Sequence, residues 1–288
     1  MGKRILLFLA TNFLIVTTVS IILSLIGLDS SSISGLATMC FIYGMVGAFI
    51  SLYISKWVAK KFHKVKIIKE SNNNPKKLFL YNTVKNISKK AGIRMPEVGI
   101  YDSLDPNAFA TGPSQNNSLV AFSSGILDGL SEQELEAVIA HEISHIKNGD
   151  MVTMTLLTGI ANAFVMFLAR IVATIIIKLI TDSENGIGYF AYFLIVMTLQ
   201  SIFMLLAYIP INAFSRFREY QADAGSARLT GAEKMISALK KIDKICSSSS
   251  VKNRHDGYEV AKINSRRRVM LFSTHPSTED RIKALKNL

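Results

Sequence analysis

The chain has 288 residues, of which 49% are hydrophobic, and carries a formal net charge of +12, with a mean hydropathy of +0.30. Soluble domains seldom join so much surplus charge to so apolar a composition, so a membrane protein with apolar spans and basic flanks is expected instead. Nucleic-acid binding would also account for the charge, but no aromatic-rich basic motif or helix-turn-helix pattern accompanies it, and no nucleic-acid partner is expected.

In chain order, residues 5–26 form the first apolar run, preceded by Lys3 and Arg4. Its length is near the ~20 residues that cross a bilayer. A signal peptide has a shorter apolar core and a small-residue cleavage site, so this run reads as a retained span. After a short polar loop, residues 33–54 form a second span, whose Gly35, Gly44 and Gly47 suit close packing against the first. Lys56, Lys60, Lys61, Lys64, Lys66 and Lys69 follow and place both ends of this hairpin on the cytoplasmic side. The same lysines suit anionic lipid, although topology accounts for them without it. Cys40 lies in an apolar run and Cys246 in a polar one, so two free thiols are expected rather than a disulfide.

Short runs rich in Val, Ile, Phe and Thr at 97–101, 108–111 and 119–123, separated by Asn, Gly and Pro, predict a small sheet. Ser131-Glu132-Gln133-Glu134 is a capping box that starts a helix at Ser131. Leu135, Val138, Ile139 and Ile146 form its buried stripe, and Asn148-Gly149 is its stop. His141-Glu142-Ile143-Ser144-His145 therefore falls mid-helix. Residues four apart share a helical face, so both imidazoles can point at one metal ion, with Glu142 close enough to act on a water there. That combination suits a hydrolytic zinc site. The surrounding Glu132, Glu134, Glu136, Lys147 and Asp150 place it outside the hydrocarbon. Met151 opens the next apolar run about 9 Å beyond His145 at helical rise, close to the membrane surface.

Residues 151–180 and 189–211 form a second apolar pair, joined by an acidic connection without Lys or Arg and followed by Arg216 and Arg218. The charge rule again puts the basic flanks inside. Lys178 can snorkel, whereas Arg170 needs a partner such as Gln200 or a wet cavity. Catalytic zinc normally takes three protein ligands, and the best third candidate is Glu219, in Ser215-Arg216-Phe217-Arg218-Glu219-Tyr220-Gln221-Ala222-Asp223. If that stretch is helical, Asp223 lies one turn on and can accept the free N–H of a liganding histidine. Residues 247–268 read as a mobile loop, and His63 and His255 as exposed bystanders.

Four motifs now carry a resemblance: Asn107-Ala108-Phe109-Ala110-Thr111-Gly112, Ala140 through His145, Arg218 through Asp223, and Thr274-His275-Pro276 followed by Arg281. With four spans in matching order, nearly the whole chain resembles the HtpX family of bacterial membrane zinc metalloproteases, relatives of the prenyl protease Ste24 and of mitochondrial Oma1. The resemblance implies His141, His145 and Glu219 as ligands of one Zn2+ per chain, Glu142 as general base and Asp223 as the residue orienting His141. Asn107 to Gly112 resembles the edge strand that receives an extended substrate. His275 resembles a histidine near the active site that stabilises the oxyanion, and a structural turn before Pro276 explains it equally well. Arg281 would hold that turn by an ion pair. The implied function is a membrane-bound zinc metalloendopeptidase. Its expected role is quality control under stress, cutting cytoplasmic segments of misfolded membrane proteins or unfolded polypeptides.

The expected architecture is mainly α: two transmembrane hairpins with a cytoplasmic α+β zincin-like (gluzincin) catalytic domain, multi-pass in the bacterial cytoplasmic membrane. Residues 1–64 and 151–211 would be the hairpins, and 65–150 and 212–288 the two cytoplasmic segments. A silent zinc-bound scaffold and a small transporter are the other classes. The retained Glu142 weighs against the first, and a metal site outside the lipid against the second.

Overall fold

The computed structural model describes residues 32–71, 73–180, 188–252 and 274–288. The predicted first span, the acidic connection up to residue 187, and 253–273 with His255 lie outside these. Along the described residues run α1 (Ile33–Phe62), β1 (Lys66–Ile67), α2 (Pro75–Ala91), β2 (Glu97–Tyr101), β3 (Ala108–Ser114), β4 (Asn117–Ser123), α3 (Ser124–Gly129), α4 (Glu132–Asn148), α5 (Asp150–Ile180), α6 (Tyr189–Thr230), α7 (Ala232–Lys252) and α8 (Thr278–Lys286). The fold is mainly helical with one small sheet. Three helices, α1, α5 and α6, are long and apolar enough to cross a bilayer.

Among the described residues, one compact unit comprises 32–51, 155–180 and 188–211. There Gly44 of α1 faces α5: an added Cβ would lie 2.5 Å from the Gly159 carbonyl oxygen and 2.8 Å from Ala163 Cβ. Small residues let the two backbones approach closely. Gly44 thus serves α5, and the expected packing of Gly35, Gly44 and Gly47 on the first span lies outside the described residues. Arg170 donates to its own helix at Met166 O, 3.0 Å away, and its guanidinium lies 3.8 Å from Cys40 Sγ, so Gln200 is not its partner.

The other unit comprises the described residues of 52–154 and 212–288. Its sheet has the order β1-β2-β4-β3, with β2 and β4 parallel and the outer pairs antiparallel. β3, the strand of the Asn107 to Gly112 motif, is therefore an edge. Helix α2 starts where Asn74 caps Lys76 and Lys77 N–H and Pro75 presets the first turn, and it stops at Gly92 with φ 72. Its Leu80, Val84, Ile87 and Ala91 make one stripe at helical spacing and pack with Val98, Val120 and Phe122 of the sheet.

Helix α4 sits in the middle. Almost every residue from Leu135 to Ile146 is buried, because the sheet and α2 cover one side and α7 and α8 another. A fully buried Ile such as Ile139 or Ile143 stabilises the fold by about 1.5–3 kcal/mol. The histidines are thus held on a rod that cannot fray.

Both apolar helices that the sequence bounded by hydropathy run on. α1 continues to Phe62, and α6 passes through Pro210 to Thr230. Hydropathy ends where water begins, but nothing in Lys56–Phe62 or Asn212–Thr230 breaks a helix. Likewise α7 reaches Lys252, so the first residues of the predicted loop at 247–268 are helical.

Candidate metal centre

Position on α4 comes from its two ends. Ser131 accepts the Glu134 N–H while the Glu134 carboxylate accepts the Ser131 N–H, the capping box read from the sequence. Gly149, φ 70, closes the other end. Between them His141 and His145 point to one side with their Nε2 atoms 3.1 Å apart. Glu219 comes from α6, its Oε2 3.6 Å from His141 Nε2 and its Oε1 3.5 Å from His145 Nε2. One ligand atom from each of the three residues falls within 4.8 Å of the others.

Two interactions hold α6 against α4. Ser226 Oγ, fully buried, donates to Ala137 O at 2.7 Å. Gly225 lies against Ser144 so closely that an added Cβ would stand 2.7 Å from Ser144 Cβ.

The other ring nitrogens meet carboxylates. His145 Nδ1 lies 2.6 Å from Asp150 Oδ2. His141 Nδ1 lies 3.0 Å from Asp223 Oδ1, a close ionic contact rather than a well-directed hydrogen bond. Arg281, from α8, grips Asp223 with two prongs of 2.6 and 2.7 Å and comes 3.6 Å from Glu219. It does not pair with the turn at Pro276, where the sequence reading had placed it. His275, mostly exposed, brings Nδ1 to 3.0 Å from Glu219 Oε2. Glu142 is buried next to His141, and its charge acts on His145, Tyr101 and Arg281. Asn107 is fixed by its backbone at the head of β3, where its N–H donates to Ser123 Oγ and its carbonyl accepts from Ser123 N–H and Tyr101 Oη. His63 is exposed, yet its ring packs on Tyr101 and Phe109 at 5.8 and 5.4 Å.

This donor set fits a zinc ion. With each Nδ1 facing a carboxylate, both Nε2 atoms and the Glu219 carboxylate turn toward one point, an arrangement that suits a cation there. Bonds of 2.0–2.2 Å at tetrahedral angles separate ligand atoms by about 3.3–3.5 Å, close to the 3.1, 3.5 and 3.6 Å seen here.

The proton balance agrees. Burial opposes charge on His145, but hydrogen bonds to Asp150 and Glu219 outweigh it and push its pKa up to about 9. Burial likewise works against His141, and Asp223 and Glu219 raise it nonetheless. Burial alone would raise Glu219, yet His141, His145 and His275 hold it far below the usual carboxylate range. Asp223 is lowered against its burial by Arg281 and His141. So concentrated a cluster of perturbed groups marks a functional site.

Comparison with known proteins decides the family. The model of peptidase family M48 matches residues 76–288. The chain belongs to peptidase family M48. Protease HtpX of Shewanella frigidimarina is 45% identical over 289 residues, 99% of each chain. Protease HtpX of Shewanella halifaxensis is 46% identical over 288 residues, again 99% of each. The resemblance read from the four motifs is met along the full length. The crystal structure of S. mikatae Ste24p matches with a TM-score of 0.66 at 19% identity, covering 98% of this chain and 64% of that one. The chain thus spans less than two thirds of that structure, and the likeness is one of fold. The protein is a membrane-associated metalloprotease, a hydrolase of peptide bonds, whose family implies a bound metal.

Asp150 is the site residue that sequence reasoning passed over. The signal was present as an aspartate immediately after the Asn-Gly helix stop, but it was read only as one of several charged neighbours.

Proposed function

We propose that the chain is a zinc metalloendopeptidase with His141, His145 and Glu219 as ligands of one Zn2+ and Glu142 as general base. The observation that carries this reading is the convergence of the three ligand atoms within 4.8 Å beside the buried Glu142. When bound, the metal polarises the scissile carbonyl and lowers the pKa of a water to about 7. Glu142 accepts the proton of the attacking water and passes it to the departing amine nitrogen. Asp223 faces His141, and Arg281 keeps that carboxylate charged and fixed. β3 is the edge of the sheet and α4 packs beside it, so an extended peptide adding to β3 runs along the histidine helix. Asn107, at the head of β3, would register that peptide. His275 and Arg281 stand on the Glu219 side, where a developing oxyanion would find a donor.

The substrates, in this reading, are unfolded polypeptides and cytoplasmic segments of misfolded membrane proteins, cut as part of a stress response. Residues 1–64 and 151–211 form two membrane hairpins in the bacterial cytoplasmic membrane, and 65–150 with 212–288 form the zincin-like domain facing the cytoplasm. The basic flanks of the apolar runs support that orientation.

The test uses detergent-solubilised wild type and Glu142→Gln, each stripped of metal and then given zinc, with cleavage of casein or of the protein itself read on a gel. Wild type should cleave only with zinc, and the variant should bind zinc while losing at least about 100-fold in rate. If both bind zinc and the variant cleaves like wild type, the role of Glu142 is wrong. If neither cleaves any unfolded or membrane substrate, a zinc-bound scaffold replaces the protease.

A further inference from the structure

On an uninterrupted helix, residues five apart point about 140° away from one another. The 2.6 Å contact between His145 Nδ1 and Asp150 Oδ2 is therefore not a property of α4. It exists because Gly149, in the left-handed region at φ 70, ends α4 and lets α5 set off in a new direction with Asp150 as its first residue. The Gly149 N–H donates back to His145 O and Ile146 O, so the break is anchored on the histidine's own turn.

Asp150 is 6% exposed, a depth at which an aspartate needs a specific partner. Among the described residues its one ionic partner is His145. It stands in the first turn of a long helix, where the helix dipole favours an acidic side chain. The two imidazoles are thus supported differently. Asp223 divides its charge between His141 and the two prongs of Arg281, whereas among the described residues Asp150 has His145 as its ionic partner.

We propose that Asp150 is the positioning residue of His145: it accepts the Nδ1–H, fixes the tautomer and the ring plane, and aims Nε2 at the point shared with His141 and Glu219. This rests on the reading of His145 as a metal ligand. Its consequence is that Asp150 sets how tightly the centre holds its metal, and that the first turn of the apolar helix α5 is part of the centre. Carboxylate support of this kind is generally worth 10–100-fold in metal affinity. A first-turn aspartate that served only the helix dipole would affect folding stability and leave the metal indifferent.

The experiment titrates Co2+ into metal-stripped, full-length protein in detergent against a competing chelator, and records the visible absorption of the Co2+ form. The proteins are wild type, Asp150→Asn, Asp150→Ala, Asp150→Glu and His145→Ala. Asp150→Asn keeps the volume and a carbonyl acceptor while removing the charge, so it folds even if Asp150→Ala does not.

The expected result is a loss of Co2+ affinity of roughly 10–100-fold in Asp150→Ala, a smaller loss in Asp150→Asn, and partial recovery in Asp150→Glu. The absorption band should shift in Asp150→Asn although its metal-free melting temperature stays near that of wild type. The proposal is overturned if Asp150→Asn and Asp150→Ala bind within twofold of wild type with an unchanged spectrum while His145→Ala loses the metal. If His145→Ala also binds normally, the ligand assignment fails first and takes the proposal with it.

Discussion

Gly225→Ala offers a stringent test of how the centre is assembled, because it touches no ligand. The added Cβ would stand 2.7 Å from Ser144 Cβ and closer still to Ser144 Oγ, whereas carbon atoms rest about 3.5–4.0 Å apart. A Cβ cannot rotate away, so α6 must withdraw from α4 by about 1 Å. The neighbouring Ser226 to Ala137 hydrogen bond resists that shift, and overpacking of this kind costs about 1–3 kcal/mol. Glu219 moves with α6, away from His141 and His145 on α4. Metal sites tolerate about 0.2 Å in ligand distance, so a 1 Å shift should cost on the order of 100-fold in cleavage rate and a large part of the zinc affinity. The assays are zinc competition against a chelator and peptide cleavage at saturating zinc. Ser144→Gly supplies the control, since it removes both atoms that the new methyl meets. The double variant should recover at least tenfold in affinity and rate, at about 1 kcal/mol of stability for a helical glycine. Wild-type affinity and rate in Gly225→Ala alone would show that the α4–α6 contact does not set the centre.

Other expectations follow from the same geometry. Arg281→Met leaves Asp223 buried without its guanidinium and should cost about 3–5 kcal/mol in urea unfolding of the metal-free protein, with weaker zinc binding besides. Metal-free His145 has its pKa raised to about 9, so its ion pairs with Asp150 and Glu219 stabilise the fold fully below the unfolded value of about 6.5 and are lost as pH rises through 9. The chelator-treated protein should therefore melt at lower temperature at pH 9.5 than at pH 6.5, and zinc uptake near pH 7 should release protons, measurable by calorimetry in buffers of different ionisation heat. A pH-independent proton count would contradict this. Ser131→Ala removes the α4 cap and should cost about 1 kcal/mol in thermal unfolding, while zinc affinity at 25 °C stays within twofold.

Local chemistry was legible in the sequence, and long-range geometry was legible only in part. The strand cores at 97–101, 108–111 and 119–123, the Ser131 cap and the Gly149 stop all follow patterns a few residues long, whereas the pairing runs on through Gly112 to Ser114 and from Asn117, which the sequence marks as turn. The pairing of His141 with His145 follows from helical periodicity, and the usual need of a catalytic zinc for a third ligand makes Glu219 the best candidate, which the family resemblance then implies. The parallel pairing of β2 with β4 could not be read, because no local pattern encodes which strands adjoin. Arg281 meets Asp223 across 58 positions, and only the packing of α8 on α4 and α7 decides that contact. Asp150 was hidden for another reason: a five-residue spacing means opposite faces on a helix, and only the αL break at Gly149 reverses that. His63, read as an exposed bystander, lies against Tyr101 and Phe109, because β1 folds the end of α1 onto the sheet.

The most direct test of the central claim is an anomalous difference map, recorded at the zinc edge, from crystals of the inactive Glu142→Gln variant grown with zinc. The account predicts a single strong peak about 2.0–2.2 Å from His141 Nε2, His145 Nε2 and a Glu219 carboxylate oxygen, with Asp150 and Asp223 on the opposite ring nitrogens. A map with no peak between those three side chains, or with zinc held elsewhere, would contradict it.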